Sequence, residues 1–458
     1  MTRSDRKTKR VLMLAYAFPP INTSGSGRPC AFAMRLGDIG WDPVVLTRKG
    51  VDSFQTDYEM AAAVEDRCEV VRARCLDGDN WSGWLSRHLP AGLENCMMGR
   101  PRQEIVRAAA WRIECLLPQL HEGVHWVWPA VMKGLDVHRR RRVDAIWATC
   151  GPASTLMAGY WLSRLTGRPL VADIRDPWTY GPQWTPVNER WAHWQRMWER
   201  RVLTYAARTV YTSPLTAEIK RCGLAPEGRS RLVAITNGYR EQPVAPRRDV
   251  AQDKCLFSYV GVLKKGLRRP EIVFEGLRSA LSDPELARDV VVQFVGTMGG
   301  FESELSRWGL DDHVICTGMV PRIESLRYMQ GSDVLLLIQT IEGEGSDVIA
   351  GKCFEYLKAH KPILAVVSEG GGDAWLMREV GGARVTGLGS SEAVANGIRH
   401  YWSLWKAGRL AEDAPSGEIA RFGWERLTRR LAAVLNDAVD DWRPGADGQA
   451  PHPARGGP

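Results

Sequence analysis

Residues 346–365 read SDVIAGKCFEYLKAHKPILA, with one acid at Asp347 and a second at Glu355, eight positions on. Gly351 and Lys352 lie between them. The preceding run, DVLLLIQTIEGEG (333–345), reads as a buried strand that enters a polar, glycine-containing loop, so a helix begins near Ala350. Open amides at a helix start, and the positive end of its dipole, favour an anion such as a diphosphate. Glu355, about one turn further along, is placed to reach past such a group and accept both hydroxyls of a ribose. Asp347, ahead of the helix, faces the other end of the ligand, and Lys352 adds a positive charge on the same turn. The same spacing also fits a loop acid followed by a helix-surface acid. The surrounding elements have to decide.

Short apolar runs alternate with helical patterns along the whole chain, as in βαβ units with parallel sheets. The first half carries predicted strands at 11–16, 43–47, 144–149, 169–174, 208–213 and 231–236. Helices are predicted near 28–39, 102–116, 130–140, 153–165, 188–206 and 214–221. The stretch 50–128 is the least regular and reads as an insertion. In the second half, strands are predicted at 256–261, 290–296, 313–318, 333–338, 362–367 and 383–387. The helices there fall at 270–281, 301–308, 323–330, 351–359, 373–379 and 391–406. A polar, proline-containing linker, 237–254, joins the halves. The expected domains are therefore 1–240 and 241–415, followed by a C-terminal helix at 416–442 that is placed to pack back on the first domain. The tail, 443–458, holds four Pro and four Gly in 16 residues, a composition that implies disorder. Two doubly wound halves leave a cleft between them, with the carboxyl ends of both sheets facing it.

Composition allows this and excludes other classes. At 458 residues, 44% hydrophobic and 25% charged, the chain can bury two ordinary cores. It has no apolar run long enough to span a membrane, and the expected location is cytoplasmic. Its 10 cysteines show no metal-ligand spacing and read as free thiols. DGD (77–79) resembles a metal-binding triplet but lies in a loop of the insertion, so it reads as a turn; no metal and no cofactor are expected. His121 and His125 read as polar surface. The net charge of +8 suits an anionic ligand or a peripheral association with an anionic membrane, such as the inner face of a plasma membrane. No nucleic-acid motif accompanies that charge. Of the 19 tryptophans, Trp191, Trp194 and Trp198 share a stripe with Val202 on the helix 188–206. The stripe reads first as core packing and second as a face for lipid or sugar. The basic stretch 87–107 adds to the membrane reading.

The acidic pair, set in K-x-FEYL-x-x-x-KPIL, resembles the E-x7-E region of the retaining GT-B glycosyltransferases of group 1, the family-four-like class, here as D-x7-E. The resemblance covers nearly the whole chain. AYAFPPINTSGSGRP (15–29) is similar to that family's first strand, Phe-Pro-Pro turn and glycine-rich loop, so Gly25, Ser26 and Gly27 are candidates for phosphate or acceptor contact. DIRDPW (173–178) is similar to its D-x-R-D-P-W segment, which makes Asp173, Arg175 and Asp176 candidates at the catalytic end. Structural ion pairing is their alternative, and Trp178 reads as core or as a sugar platform. ITNGYRE (235–241) and VPRIESLRYMQGSDVLLL (320–337) also look like the family, with a tight turn expected at Asn237-Gly238. YVGVLKKGLRRP (259–270) stands where the family carries a diphosphate-binding Arg and Lys. Val262 occupies the usual Arg place, so Arg268 is the first candidate for that charge, with Lys264, Lys265 and Arg269 behind it.

The resemblance implies an α/β fold of GT-B type, two Rossmann-like doubly wound domains facing a central cleft. Glu355 would hold the ribose and Asp347 the transferred sugar, with Lys352, Gly345, Ser346, Val348 and Ile349 around the donor. The implied reaction moves a sugar, with retention, from a nucleoside-diphosphate sugar to a saccharide, glycolipid or small-molecule acceptor, as in polysaccharide or glycoconjugate synthesis. Two alternatives remain open: a non-catalytic GT-B binding subunit of a transferase complex, and a nucleotide-sugar epimerase or hydrolase of the same fold.

Overall fold

The structure, a computed structural model, describes residues 8–50, 56–75, 123–181, 184–186, 188–223, 226–239, 243–263 and 270–443. The expectations for 77–79, 87–107 and 102–116, for His121, for Lys264, Lys265, Arg268 and Arg269, and for the tail after Arg443 lie outside these residues.

Two all-parallel sheets organise the described chain. The first contains β1 (Lys9–Leu14), β2 (Trp41–Arg48), β3 (Glu69–Ala73), β4 (Ala145–Thr149), β5 (Leu170–Ile174), β6 (Arg208–Tyr211) and β7 (Leu232–Ala234). Their order is β3-β2-β1-β4-β5-β6-β7. The second contains β8 (Cys255–Val260), β9 (Val290–Val295), β10 (Val314–Gly318), β11 (Val334–Gln339), β12 (Ile363–Val367) and β13 (Ala383–Thr386), in the order β10-β9-β8-β11-β12-β13. Continuous apolar runs produce this arrangement because helices cover both faces of a parallel sheet. Val11, Leu12, Met13 and Leu14 of β1 are all fully buried, with Leu12 in register with Val44 of β2 and Ile146 of β4. Each sheet reverses its winding beside its first strand, between β1 and β4 and between β8 and β11. A crevice opens at such a reversal, outside the carboxyl ends of the strands.

The stretch expected to be irregular contains ordered structure near its start. Helix Tyr58–Glu65 and edge strand β3 lie there, with Asp57 capping the helix by accepting from the Met60 amide at 2.8 Å. β3 reads EVVRA and is only partly buried. Charges on a short strand are the usual protection of a sheet edge, and they break the apolar run by which a strand is recognised in sequence. His125 is half-buried, with Nε2 3.2 Å from the sulfur of Cys75, and so is not simple polar surface. The tryptophan stripe of helix Glu189–Tyr205 turns largely inward: Trp191 and Trp198 are buried, and Trp198 meets Tyr160 edge-on at 5.7 Å.

The final helix, Trp424–Asp441, packs on the first domain although it follows the second. Leu427, Leu431, Leu435 and Ala438 form its buried stripe at helical spacing. Trp424 meets Phe32 edge-on at 5.6 Å, and the Trp442 indole donates to the Gly167 carbonyl at 2.9 Å. The two segments joining the domains run side by side, with Tyr239 bridged to Gly423. Gly238 is required by that approach, since a Cβ there would sit 2.5 Å from the Phe422 carbonyl oxygen. Leu431 is fully buried, so Leu431→Ala is expected to lower stability by about 2–5 kcal/mol, read from the urea midpoint followed by circular dichroism.

Candidate active site

The carboxyl ends of the two sheets enclose a cleft of about 670 Å³. One wall carries Ser26, Gly27, Arg28 and Asn237, and the other carries Val262, Met319, Arg322, Lys352 and Glu355. Trp424, at the start of the final helix, also lines it.

The second-domain wall centres on helix Gly351–Ala359, whose Gly351 faces the cleft and at whose start the Ala350 amide donates to buried Asp373 at 2.8 Å. Phe354, Tyr356 and Leu357 are buried in the domain core, and this anchors the helix while Lys352 and Glu355 line the cleft. The Tyr356 hydroxyl accepts from the Val260 amide at 2.8 Å and donates to the Leu336 carbonyl at 3.1 Å, tying the helix to β8 and β11. Glu355 is 8% exposed, and its Oε1 accepts from Arg322 Nη2 at 2.6 Å. Lys352 donates to the Tyr259 hydroxyl at 2.7 Å and lies beside Gly261, where a Cβ would come within 2.9 Å of its Nζ. With φ +140° as well, that position accepts little but glycine.

The first-domain wall depends on a buried ion pair. Arg28, in the first turn of helix Gly27–Leu36, is 2% exposed, and Asp173, near the end of β5, is 0% exposed. Arg28 donates to Asp173 from Nη2 at 2.7 Å and from Nε at 3.0 Å, and from Nη1 to the Thr236 carbonyl at 2.7 Å. Thr149 of β4 adds a 2.7 Å bond to the same carboxylate. Asp173 is thus engaged within the wall. Two residues on, Arg175 is held by Nε to the Cys150 carbonyl at 2.7 Å. Its guanidinium packs between two glycines: a Cβ on Gly25 would lie 3.2 Å from both terminal nitrogens, and one on Gly151 would lie 1.9 Å from Nη2. Asp176 is exposed, and Trp178 is buried in the first core. Gly27 has open space where a Cβ would stand.

Asp347 lies at a different junction. It is buried, and its Oδ2 accepts from Tyr180 at 2.8 Å and from Thr216 at 2.5 Å, both in the first domain. Ser213 donates to the Asp347 carbonyl as well. Burial, and then the adjacent carboxylate, hold the Tyr180 phenol well above its ordinary pKa, so it stays a donor. Gly345, Ser346 and Val348 line a small recess with Ser368 and Asp373, whereas Ile349 is core. The structure therefore brings Ser26, Gly27, Lys352 and Glu355 into one cleft, and it groups Gly25 with Arg175 and Asp347 with Tyr180. Arg28, Arg322, Tyr180 and Thr216 were not singled out from sequence, because their roles come from partners more than 30 positions away. Only the Asp/Arg composition of DIRDPW hinted at such pairing.

No protein-family model matches the chain, and no curated protein matches it in sequence. Solved structures do resemble it in fold. Anabaena HepE in complex with UDP superposes with a TM-score of 0.58 at 16% identity, over 93% of this chain and 99% of that one. Sucrose-phosphate synthase from Thermosynechococcus elongatus gives 0.58 at 14% identity, over 93% and 98%. A glycosyltransferase from Rickettsia africae gives 0.58 at 10% identity, over 95% and 100%. At such identities the likeness is one of fold: two Rossmann-like domains in the GT-B arrangement, as the resemblance implied.

Removing Arg28 would strand a buried carboxylate. Arg28→Ala is expected to destabilise the protein by about 3–5 kcal/mol. A double variant that also carries Asp173→Asn should recover part of this loss, both measured by urea denaturation.

Proposed function

We propose that the protein is a glycosyltransferase that moves a sugar from a nucleoside-diphosphate sugar to a saccharide, lipid-linked or small-molecule acceptor, with retention of configuration. The observation that carries this reading is the convergence, in one cleft between two doubly wound sheets, of a helix start, a lysine and a buried carboxylate one turn on. The three match a nucleoside diphosphate in order: the helix start and Lys352 for the phosphates, Glu355 for the ribose hydroxyls. Met319 and Val262, both exposed on the same wall, offer apolar surface to the base. That the similar Anabaena protein holds UDP in its crystal supports the same class of ligand.

On this reading the chemistry is charge management. Glycosyl transfer builds positive charge on the sugar ring and negative charge on the departing diphosphate. Fixed donors in a cleft that excludes water stabilise the second. The helix start and Lys352 supply them, and Arg175, held rigid by Cys150 and two glycines, adds a cation on the facing domain. Arg268 or Lys264, further along the sequence, is the candidate for an additional cation. The leaving phosphate takes the proton of the acceptor hydroxyl, so the reaction needs no histidine base. Asp176 stands at the same sheet end as Arg175, where it can orient an acceptor hydroxyl, and Ser26 and Gly27 of the same domain line the cleft. Asp347, which accepts from Tyr180 and Thr216 through Oδ2, would meet the transferred sugar through Oδ1. No described helix is long and apolar enough to cross a membrane. A lipid-linked acceptor would be met through peripheral contact favoured by the +8 charge.

Isothermal titration of the wild type and Glu355→Ala against UDP, GDP, ADP, dTDP and CMP tests the reading. One nucleotide should bind, and the variant should bind it at least about tenfold more weakly. Binding of none of the five by the wild type would replace this reading with that of a non-catalytic subunit.

A further inference from the structure

Positive charge is concentrated on one face of the first domain. The connections from β3 to β4, β4 to β5 and β5 to β6 run the same way across the sheet, and right-handed crossovers place their helices on one face. Helices Val127–Arg141, Ser154–Thr166 and Glu189–Tyr205 pack there side by side. They hold nine Lys and Arg against three acids, Asp136, Glu189 and Glu199. Glu199 is buried and paired with Lys220 at 3.0 Å. The excess is comparable with the net +8 of the whole chain. The same face leaves large apolar side chains in water: Trp128, Met132 and Leu165 are 57%, 61% and 56% exposed. Trp128 and Met132 stand one turn apart on the first helix, and half-buried Trp161 and Leu165 one turn apart on the second. The Trp128 and Trp161 rings lie 5.6 Å apart and join the two pairs. Gly134 lets the helices approach, since a Cβ there would stand 2.7 Å from the Leu162 side chain. Cations flank this patch. Arg164 precedes Leu165, Arg139 follows Met132 by two turns on the same stripe, and Arg201 lies 5.0 Å over the Trp198 ring, itself 6.3 Å from Trp161.

We propose that Trp128, Met132, Trp161 and Leu165, with the cations around them, form the surface by which the protein docks on an anionic lipid bilayer. The inference deepens the peripheral contact named in the proposed function and rests on that part of it, not on the donor site. A contiguous apolar patch rimmed by charge marks an interaction surface. An anionic bilayer rewards both halves of this one: aromatic and aliphatic side chains enter the boundary between headgroups and acyl chains, and Lys and Arg meet the anionic headgroups. Helix Ser154–Thr166 contains no acid, so nothing on it repels such a surface. The contact is not the tryptophan stripe of helix Glu189–Tyr205, because Trp191 and Trp198 are buried; Trp198 supports the patch through Trp161. The placement also suits the cleft. Helix Val127–Arg141 ends where β4 begins, at the amino ends of the strands, so its first turn lies toward their carboxyl ends. Trp128, in that turn, marks the end of the patch nearer the cleft. A docked protein would therefore hold its cleft close to the headgroup layer, where the polar part of a lipid-linked acceptor lies.

The experiment is co-sedimentation with vesicles of equal parts phosphatidylglycerol and phosphatidylcholine, and with vesicles of phosphatidylcholine alone. The proteins are wild type, an apolar variant (Trp128→Ala with Met132→Ala) and a charge variant (Arg139→Gln with Arg201→Gln), each checked for an unchanged circular dichroism spectrum. Wild type should bind the anionic vesicles at least about tenfold more tightly than the neutral ones. The apolar variant should bind them at least about tenfold more weakly than wild type, and the charge variant at least about threefold more weakly, with a smaller loss on raising the salt. Failure of the wild type to bind anionic vesicles would overturn the proposal. So would an apolar variant that binds as wild type does, since the contact would then lie on another basic surface, or a charge variant that does. Sedimentation equilibrium supplies the remaining outcome: a wild-type dimer that the apolar variant turns into a monomer would give the patch to a second copy of the chain and overturn the bilayer as its occupant. Nucleotide titration of the same proteins keeps the two readings apart. Vesicle binding without binding of any nucleotide removes the donor site and leaves this surface, and nucleotide binding without vesicle binding does the reverse.

Discussion

The cleft depends on a charge pair that water does not reach. Burying a guanidinium and a carboxylate is expensive unless each finds its partner and its remaining hydrogen bonds. Arg28 and Asp173 meet that condition through Thr149 and the Thr236 carbonyl. The four residues come from the helix after β1, the ends of β4 and β5, and the segment leaving β7. Their mutual satisfaction fixes where the first wall stands and where the chain departs toward the second domain. The open glycine loop and the Arg175 guanidinium are placed relative to that anchor.

The second wall is built by a different means. Helix Gly351–Ala359 sinks three large side chains into its own core and is tied to two strands by a buried tyrosine hydroxyl. What reaches the cleft is consequently short in reach and exact in position. Lys352 lies against a glycine of the β8 turn, and Glu355 is held by a cation from a neighbouring helix. Between the walls, Asp347 accepts two hydroxyls from the first domain, so the spacing of the walls is itself set by hydrogen bonds between domains. A first acid bound in this way belongs as much to the joint between domains as to the ligand.

Much of the fold was legible because parallel strands covered on both faces leave unbroken apolar runs, such as VLMLAY and DVLLLI, whose lengths and punctuation are hard to mistake. β3 was not legible: an edge strand with Glu69 and Arg72 in five residues resembles a loop. In the site, the helix start and the phase of Glu355 could be read, since both follow from spacing within a single element. The pairing of Asp173 with Arg28 lay 145 positions apart, and that of Asp347 with Tyr180 lay 167 apart. No periodicity reports such partners, because they depend on how two sheets are wound and how two domains face each other. The tryptophans of helix Glu189–Tyr205 likewise show one stripe in sequence, and only their neighbours show that it is largely core.

The helix Trp424–Asp441 carries a consequence for biogenesis. Domains commonly fold as units as they emerge from the ribosome, the earlier one first. Here the earlier of the two domains lacks part of its core until the later one has been made, because the strip of Leu427, Leu431 and Leu435 follows both in the chain. Until then the surface around Phe32 that Trp424 will cover is open to water and to other nascent chains. The two domains should therefore mature in the reverse of the usual order: the later one can become self-sufficient first, and the earlier one waits for the helix that follows it.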